Sequence, residues 1–131
     1  MEKIIDIKAN QKIEEDKKNN VKTSVSIVIP GFNEAAVVEE ALHKTCKYME
    51  SIEDEYSWEL IFIDDGSTDG TGQIADKFAE TRDNVFVLHH RVNFRLGQAL
   101  RFAFNNCSGD YVVTLDVDLS YSLDHIKRLL D

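Results

Sequence analysis

Basic charge is scarce in this chain. Against 24 Asp and Glu there are 15 Lys and Arg, a formal net charge of −9 over 131 residues. That balance argues against a nucleic-acid backbone as partner, because such binding relies on Lys and Arg neutralising phosphates. It also disfavours simple electrostatic docking on anionic lipid. Long apolar runs are missing: none approaches the roughly 20 residues a membrane helix needs. Cysteine is limited to Cys46 and Cys107, read as small buried thiols on predicted helices in a reducing cytosol. Zinc is disfavoured as well, since His89 and His90 are adjacent on a strand end and would face opposite sides. One is expected to face the core and one the solvent, with His43 and His125 on helix surfaces. Two glycine signatures are also absent. The loop after the first core strand reads Pro30-Gly31-Phe32-Asn33-Glu34, bulky and acidic, where a dinucleotide site wants Gly-x-Gly-x-x-Gly. No Gly-x-x-x-x-Gly-Lys-Ser/Thr loop occurs, so a P-loop is excluded.

What is present is a regular alternation. Hydrophobic residues make up 43% and charged residues 30%, ordinary for a globular domain. Residues 1–22 are a charged extension without signal-peptide character. They are expected to be mobile or loosely helical, with Ile4, Ile5 and Ile13 available for docking. Residues 23–131 carry the domain. Val25 to Pro30 reads as a buried strand, and 35–52 as a helix with Val38, Leu42, Cys46, Met49 and Ile52 near helical spacing. Trp58 to Ile63 is a second strand, followed by Asp64-Asp65-Gly66-Ser67-Thr68-Asp69-Gly70. Ser67, Thr68 or Asp69 is expected to cap a helix whose apolar face includes Ile74, Ala75, Phe78 and Ala79. Val85 to Leu88 is a third strand and 96–106 a third helix. Tyr111 to Leu115 is a fourth strand, and Leu123, Ile126, Leu129 and Leu130 mark a last helix. Alternation of this kind predicts an α/β fold, a Rossmann-like parallel sheet with helices on both faces.

In such sheets function sits outside the carboxyl ends of the strands, where strand order reverses. If the order is third, second, first, fourth, then Pro30, Phe32, Asn33 and Glu34 come beside Asp116 and Asp118, with Asp64 and Asp65 one strand away. Asp116 and Asp118 close an apolar strand at i, i+2, so strand alternation would turn both toward one spot. Two like charges that close repel unless a cation lies between them. A hard divalent ion shared with substrate phosphate oxygens would serve. Solvated acids at a strand end are the plainer alternative.

Val25-Ser-Ile-Val-Ile-Pro-Gly-Phe-Asn-Glu34, Ile63-Asp-Asp-Gly-Ser-Thr-Asp-Gly-Thr71, Asn93 to Leu100 and Gly109-Asp-Tyr-Val-Val-Thr-Leu-Asp-Val-Asp-Leu-Ser120 stand in this order. Together they resemble the family 2 glycosyltransferases, in particular the dolichol-phosphate mannose synthase-like branch. The resemblance runs from Val25 to the C-terminus. It implies the nucleotide-binding half of a GT-A fold, taking a nucleotide-diphosphate sugar (GDP-mannose or UDP-glucose) with Mg2+ or Mn2+. It further implies inverting transfer to a polyprenyl or dolichyl phosphate at a membrane surface, with a cytoplasmic location. Carried over by residue, Pro30, Phe32, Asn33 and Glu34 would line the nucleotide pocket, with Asp65 facing the base and Asp64 supporting it. Asp116 and Asp118 would hold the metal and the diphosphate, as the catalytic pair.

Two stretches depart from the family pattern. Asn93-Phe94-Arg95-Leu96-Gly97 puts arginine where glycine is common, either as a phosphate contact or as an exposed arginine at a helix start. Leu119-Ser120-Tyr121-Ser122 replaces the more frequent Leu-Gln/Ser-His-Pro. The acceptor-binding half expected after Asp118 is absent from these residues. The reading is therefore a donor-binding half, weak or inactive alone. A non-catalytic nucleotide or metal-binding module and an assembly domain are the alternatives. A nucleotidyltransferase is disfavoured for want of a glycine-rich, basic first loop.

Overall fold

A computed structural model describes residues 3–5, 22–119 and 122–131. The elements are β1 (Lys3–Ile5), β2 (Thr23–Gly31), α1 (Val38–Ser51), β3 (Tyr56–Asp65), α2 (Thr71–Ala79), β4 (Val85–His90), α3 (Arg95–Phe104), β5 (Tyr111–Thr114) and α4 (Asp124–Leu130). They form a five-stranded sheet in the order β1-β5-β2-β3-β4. The four strands β2 to β5 run parallel, in the order assumed above, which the sequence itself does not fix. The reversal lies between β2 and β5.

Side-chain alternation divides the core between the sheet's two faces. Val25, Ile27 and Ile29 of β2 join Leu60 and Phe62 of β3, Val113 of β5, and the apolar sides of α1, α2 and α4. On the other face Val28, Ile61 and Ile63 pack against Ala99 and Ala103 of α3. Burial on both sides explains why β2 and β3 read as unbroken apolar runs. Each fully buried Ile, Leu or Phe here contributes about 1.5–3 kcal/mol. In α1 the buried positions are Val38, Ala41, Leu42, Thr45, Cys46 and Met49, one helical stripe, and Glu39 and Glu40 complement the dipole in its first turn.

Several expectations need adjusting. Helix α1 starts at Val38, because residues 35–37 form turns hung on the Glu34 carbonyl, with Val37 N–H at 3.1 Å and Val38 N–H at 2.9 Å. Cys107 lies past the end of α3, its thiol donating to the Ala103 carbonyl at 3.2 Å. Burial pushes both thiols up to about 11, which leaves them protonated and unreactive at neutral pH. Leu129 is exposed, so α4 docks mainly through Ile126. Its end is tied down by the Tyr56 hydroxyl donating to Asp131 Oδ1 at 2.7 Å and by Lys127 bridging Glu55 and Asp131 at 2.9 Å each.

The N-terminal extension contributes an element of its own. Lys3–Ile5 pairs antiparallel with β5, Ile4 opposite Val113, so docking through this segment takes the form of an edge strand rather than loose helix. Ile13 and the rest of 6–21 lie outside the described residues.

Candidate functional site

Two loops at the carboxyl edge are stitched together by side chains. After β2, Asn33 N–H donates to Ser67 Oγ at 2.9 Å and Asn33 Oδ1 accepts from Thr68 N–H at 2.9 Å. Glu34 N–H donates to Thr71 Oγ1 at 2.9 Å, and Ala35 N–H to Asp69 Oδ2 at 3.2 Å. Asp69 Oδ1 also accepts from Thr71 N–H at 3.0 Å and from the Thr71 hydroxyl. The Thr71 hydroxyl is the main cause holding the Asp69 carboxyl below its ordinary range. Asp69 thus caps the first N–H of α2 with one oxygen, as expected, and reaches the neighbouring loop with the other, while the residue before α2 is Gly70 in the left-handed region. The cap is part of a cross-loop lattice.

The two acids ending β3 are both buried, Asp64 at 6% and Asp65 at 4% exposure. Each is matched to a histidine across the sheet, since the parallel register sets Asp64 opposite His89 and Asp65 opposite His90. His89 Nδ1 lies 3.1 Å from Asp64 Oδ2, and its Nε2 lies 2.9 Å from Asp76 Oδ1 on α2. Asp64 Oδ1 accepts Ser67 N–H at 3.0 Å. Gly72 lets α2 approach: a Cβ there would lie 2.3 Å from Asp64 Oδ2. Partial burial works against the His89 imidazolium. The hydrogen bonds and charges of Asp76 and Asp64 outweigh it and raise its pKa above 6.5. His90 Nδ1 meets Asp65 Oδ1 at 2.8 Å, and Phe94 N–H donates to the same oxygen at 3.0 Å. As strand alternation predicts, the two histidines face opposite sides, His89 42% exposed and His90 14%; what the sequence did not show is that both are partners of site acids. A readable signal existed in two dipeptides, Asp64-Asp65 and His89-His90, ending consecutive strands.

Asp116 and Asp118 do not lie on a strand. β5 ends at Thr114, Leu115 N–H makes a last bond to Val28 at 2.9 Å, and Leu119 N–H then returns to the Asp116 carbonyl at 2.9 Å. Strand alternation therefore does not orient the pair. A tight turn does, because the ladder with β2 runs out before the acids begin.

A cavity of about 350 Å³ opens at the reversal point, lined by Pro30, Gly31, Phe32, Glu34, Asp65, Asn93, Arg95, Leu96, Ala99, Asp116, Val117 and Asp118. The topology brings together six sequence-picked residues: Pro30, Phe32, Glu34, Asp65, Asp116 and Asp118. Asn33 and Asp64 are not in the lining; they hold the loops behind it. Arg95 is in the lining, the single cation there among the described residues, with four acids. Among the described residues three non-glycine residues have positive φ: Asn33 (55°), Arg95 (72°) and Leu119 (51°). Each adjoins or lines this cavity, and such backbone strain gathers at functional sites. Arg95 in the left-handed region also explains why glycine suits that position.

Among the described residues no group of three or more His, Cys, Asp or Glu is placed to hold a metal ion. No helix among them is long and apolar enough to cross a membrane.

Solved proteins share this fold. A mannosyltransferase from Pyrobaculum calidifontis, solved with GDP-Man and Mn2+, superposes with a TM-score of 0.70 at 23% identity, covering 93% of this chain and 39% of that one. Glucosyl-3-phosphoglycerate synthase from Mycobacterium tuberculosis, solved with Mn2+, UDP and phosphoglyceric acid, matches with a TM-score of 0.56 at 29% identity over 79% of this chain and 36% of its own. The fold is thus of the GT-A type. In sequence, an undecaprenyl-phosphate 4-deoxy-4-formamido-L-arabinose transferase of Proteus mirabilis is 37% identical over 107 residues, 81% of this chain and 32% of the relative. A dolichyl-phosphate beta-glucosyltransferase of Trichomonas vaginalis is 30% identical over 108 residues, 80% of this chain and 33% of the relative. The chain spans about a third of the length of these curated relatives. The family model for glycosyl transferase family 2 matches residues 26–131, and with the acids at the strand ends and the loop lattice around them, this chain belongs to glycosyl transferase family 2.

Proposed function

We propose that this chain is the donor-binding half of an inverting glycosyltransferase that moves a sugar from a nucleotide-diphosphate sugar to a polyprenyl phosphate. The observation that carries the reading is the cavity at the strand-order reversal, where Glu34, Asp65, Asp116 and Asp118 converge with the exposed ring of Phe32 and with Arg95. The acceptor class rests on the names of the sequence relatives. The donor is of the UDP-glucose or GDP-mannose kind.

The residues fit a hard divalent ion. Carboxylates are its natural ligands, and with two from the protein, Asp116 and Asp118, the remaining positions fall to phosphate oxygens and water, as Mg2+ or Mn2+ accepts. When bound, such an ion neutralises charge developing on the diphosphate leaving group. The chain itself does the binding. Pro30, Phe32 and Glu34 form the nucleotide wall, Asp65 faces the base, and Arg95 adds positive charge beside the phosphates. An acceptor phosphate oxygen forms the new bond to the anomeric carbon as the bond to the diphosphate breaks. The acceptor is already anionic, so this half supplies no strong base. Action at the cytoplasmic face of a membrane follows from a lipid acceptor and a soluble nucleotide donor.

Calorimetric titration of UDP and GDP, with Mn2+ and with chelator, tests the donor site. Metal-dependent binding that disappears in the Asp116→Asn/Asp118→Asn variant is expected. Metal-independent binding, or binding untouched by the double substitution, refutes it. The alternative of a nucleotide-binding module without catalysis is separated by transfer assays on a chain extended past Asp131.

A further inference from the structure

Asp65 is almost fully buried, yet its two oxygens are treated unequally. Oδ1 takes both available donors, His90 Nδ1 at 2.8 Å and Phe94 N–H at 3.0 Å. Among the described residues no hydrogen bond reaches Oδ2, although Asp65 lines the cavity. A buried carboxylate oxygen left without a donor is costly, so the site is built for a ligand that brings one.

His90 is held as firmly as the acid it serves. Its ring stacks on Phe102 with centroids 4.9 Å apart and planes 11° from parallel, and Phe94 meets it edge-on at 4.9 Å and 81°. The strand register places its backbone opposite Asp65. The imidazole therefore has little freedom to turn away, and it keeps Nδ1 against Asp65 Oδ1 as the nitrogen that can donate to it.

We infer that His90 is a positioning residue that fixes Asp65 as an oriented acceptor, so that the site selects nucleobases presenting a ring N–H at the centre of the Watson–Crick edge. This rests on the donor-site reading above. Uracil N3–H and guanine N1–H supply that donor. Cytosine N3 and adenine N1 are acceptors and would face Oδ2 with a lone pair. A site built around a buried polar group rejects the ligand that leaves it unpaired. The selection thus comes from a histidine that does not itself line the cavity.

The test compares UDP, GDP, CDP and ADP, and separately Mn2+-pyrophosphate, on wild type, His90→Asn and His90→Phe, with near-UV circular dichroism to confirm folding. Asparagine places an amide N–H close to the Nδ1 position; phenylalanine keeps the ring and removes the donor. Wild type is expected to favour UDP or GDP over CDP and ADP by at least about tenfold. His90→Phe should lose most of that preference, about tenfold in affinity for the favoured base, with pyrophosphate binding unchanged. His90→Asn should stay within about threefold of wild type. Unchanged selectivity in folded His90→Phe overturns the inference and leaves the donor site standing. So does an equal loss for nucleotide and pyrophosphate, which would mark a general structural role. Absence of nucleotide binding by wild type overturns both readings together.

Discussion

His89 bridges two elements: its Nδ1 sits 3.1 Å from Asp64 Oδ2 on β3 while its Nε2 sits 2.9 Å from Asp76 Oδ1 on α2. Only the imidazolium can donate from both nitrogens. The link fastens the middle of α2 to the sheet behind the cavity, and it makes this end of the fold sensitive to pH.

The sign follows from the raised His89 pKa. The group binds its proton more tightly folded than unfolded, so its contribution is complete below the unfolded value and fades as pH rises through the folded one. Thermal unfolding of wild type should therefore lose stability relative to His89→Gln as pH rises from the ordinary imidazole value of 6.5. The side chain is 42% exposed, so the difference should be small, and parallel melting curves above that value would contradict the assignment.

Gly66 turns the chain out of β3 at φ 80°, and a Cβ there would lie 2.3 Å from the Val92 carbonyl carbon and 2.5 Å from Asn93 N. Both obstacles are backbone. Gly66→Ala should destabilise by roughly 2–4 kcal/mol. Because the displaced strand-end loop carries Asn93 and Arg95, nucleotide affinity should fall as well. Denaturant titration and calorimetry read the two effects separately.

Arg95 holds φ 72° at the cavity wall. Arg95→Gly relieves about 1–2 kcal/mol of left-handed strain, offset in part by the larger unfolded-state entropy of glycine. The melting temperature should rise by roughly 2 °C while UDP and GDP bind more weakly, because the cavity has lost its cation. A rise in stability with unchanged affinity would show that the guanidinium does not meet the ligand.

Glu59 works at the opposite end of the strands. Its carboxylate accepts the hydroxyl of Ser26, which is fully buried, together with the N–H of Ser108 at 2.8 Å and the Ser108 hydroxyl at 2.9 Å. Glu59→Ala should cost about 1–3 kcal/mol, since it strips a buried hydroxyl of its acceptor. Nucleotide affinity should not change, because the residue lies toward the amino ends of the strands, away from the cavity at their carboxyl ends. This variant separates loss of stability from loss of the site.

Much of the architecture was legible because it rests on local pattern. The apolar runs of β2 and β3, buried on both faces, and the α1 stripe from Val38 to Met49 follow directly from side-chain periodicity. The loop chemistry was less legible. Ser67, Thr68 and Asp69 are good helix-capping residues, and Asp69 does cap Thr71, yet Ser67 and Asp69 also take the N–H groups of Asn33 and Ala35, because the parallel pairing of β2 with β3 brings a second loop with unsatisfied N–H groups within reach. Propensity describes a residue with water as its alternative partner and cannot count a neighbour 34 positions away.

The sequence by itself determined that strands and helices alternate, that acids collect where strands end, and which family the ordered motifs belong to. These are properties of short segments, whose periodicity and composition act locally. Only the tertiary structure decided that His89 and His90 are partners of Asp64 and Asp65, that Asp116 and Asp118 sit in a turn, and that Lys3–Ile5 completes an edge of the sheet. Register and strand order are set by packing between segments far apart in the chain. A side chain whose partner lies 25 residues away therefore acquires its role only when the sheet has formed.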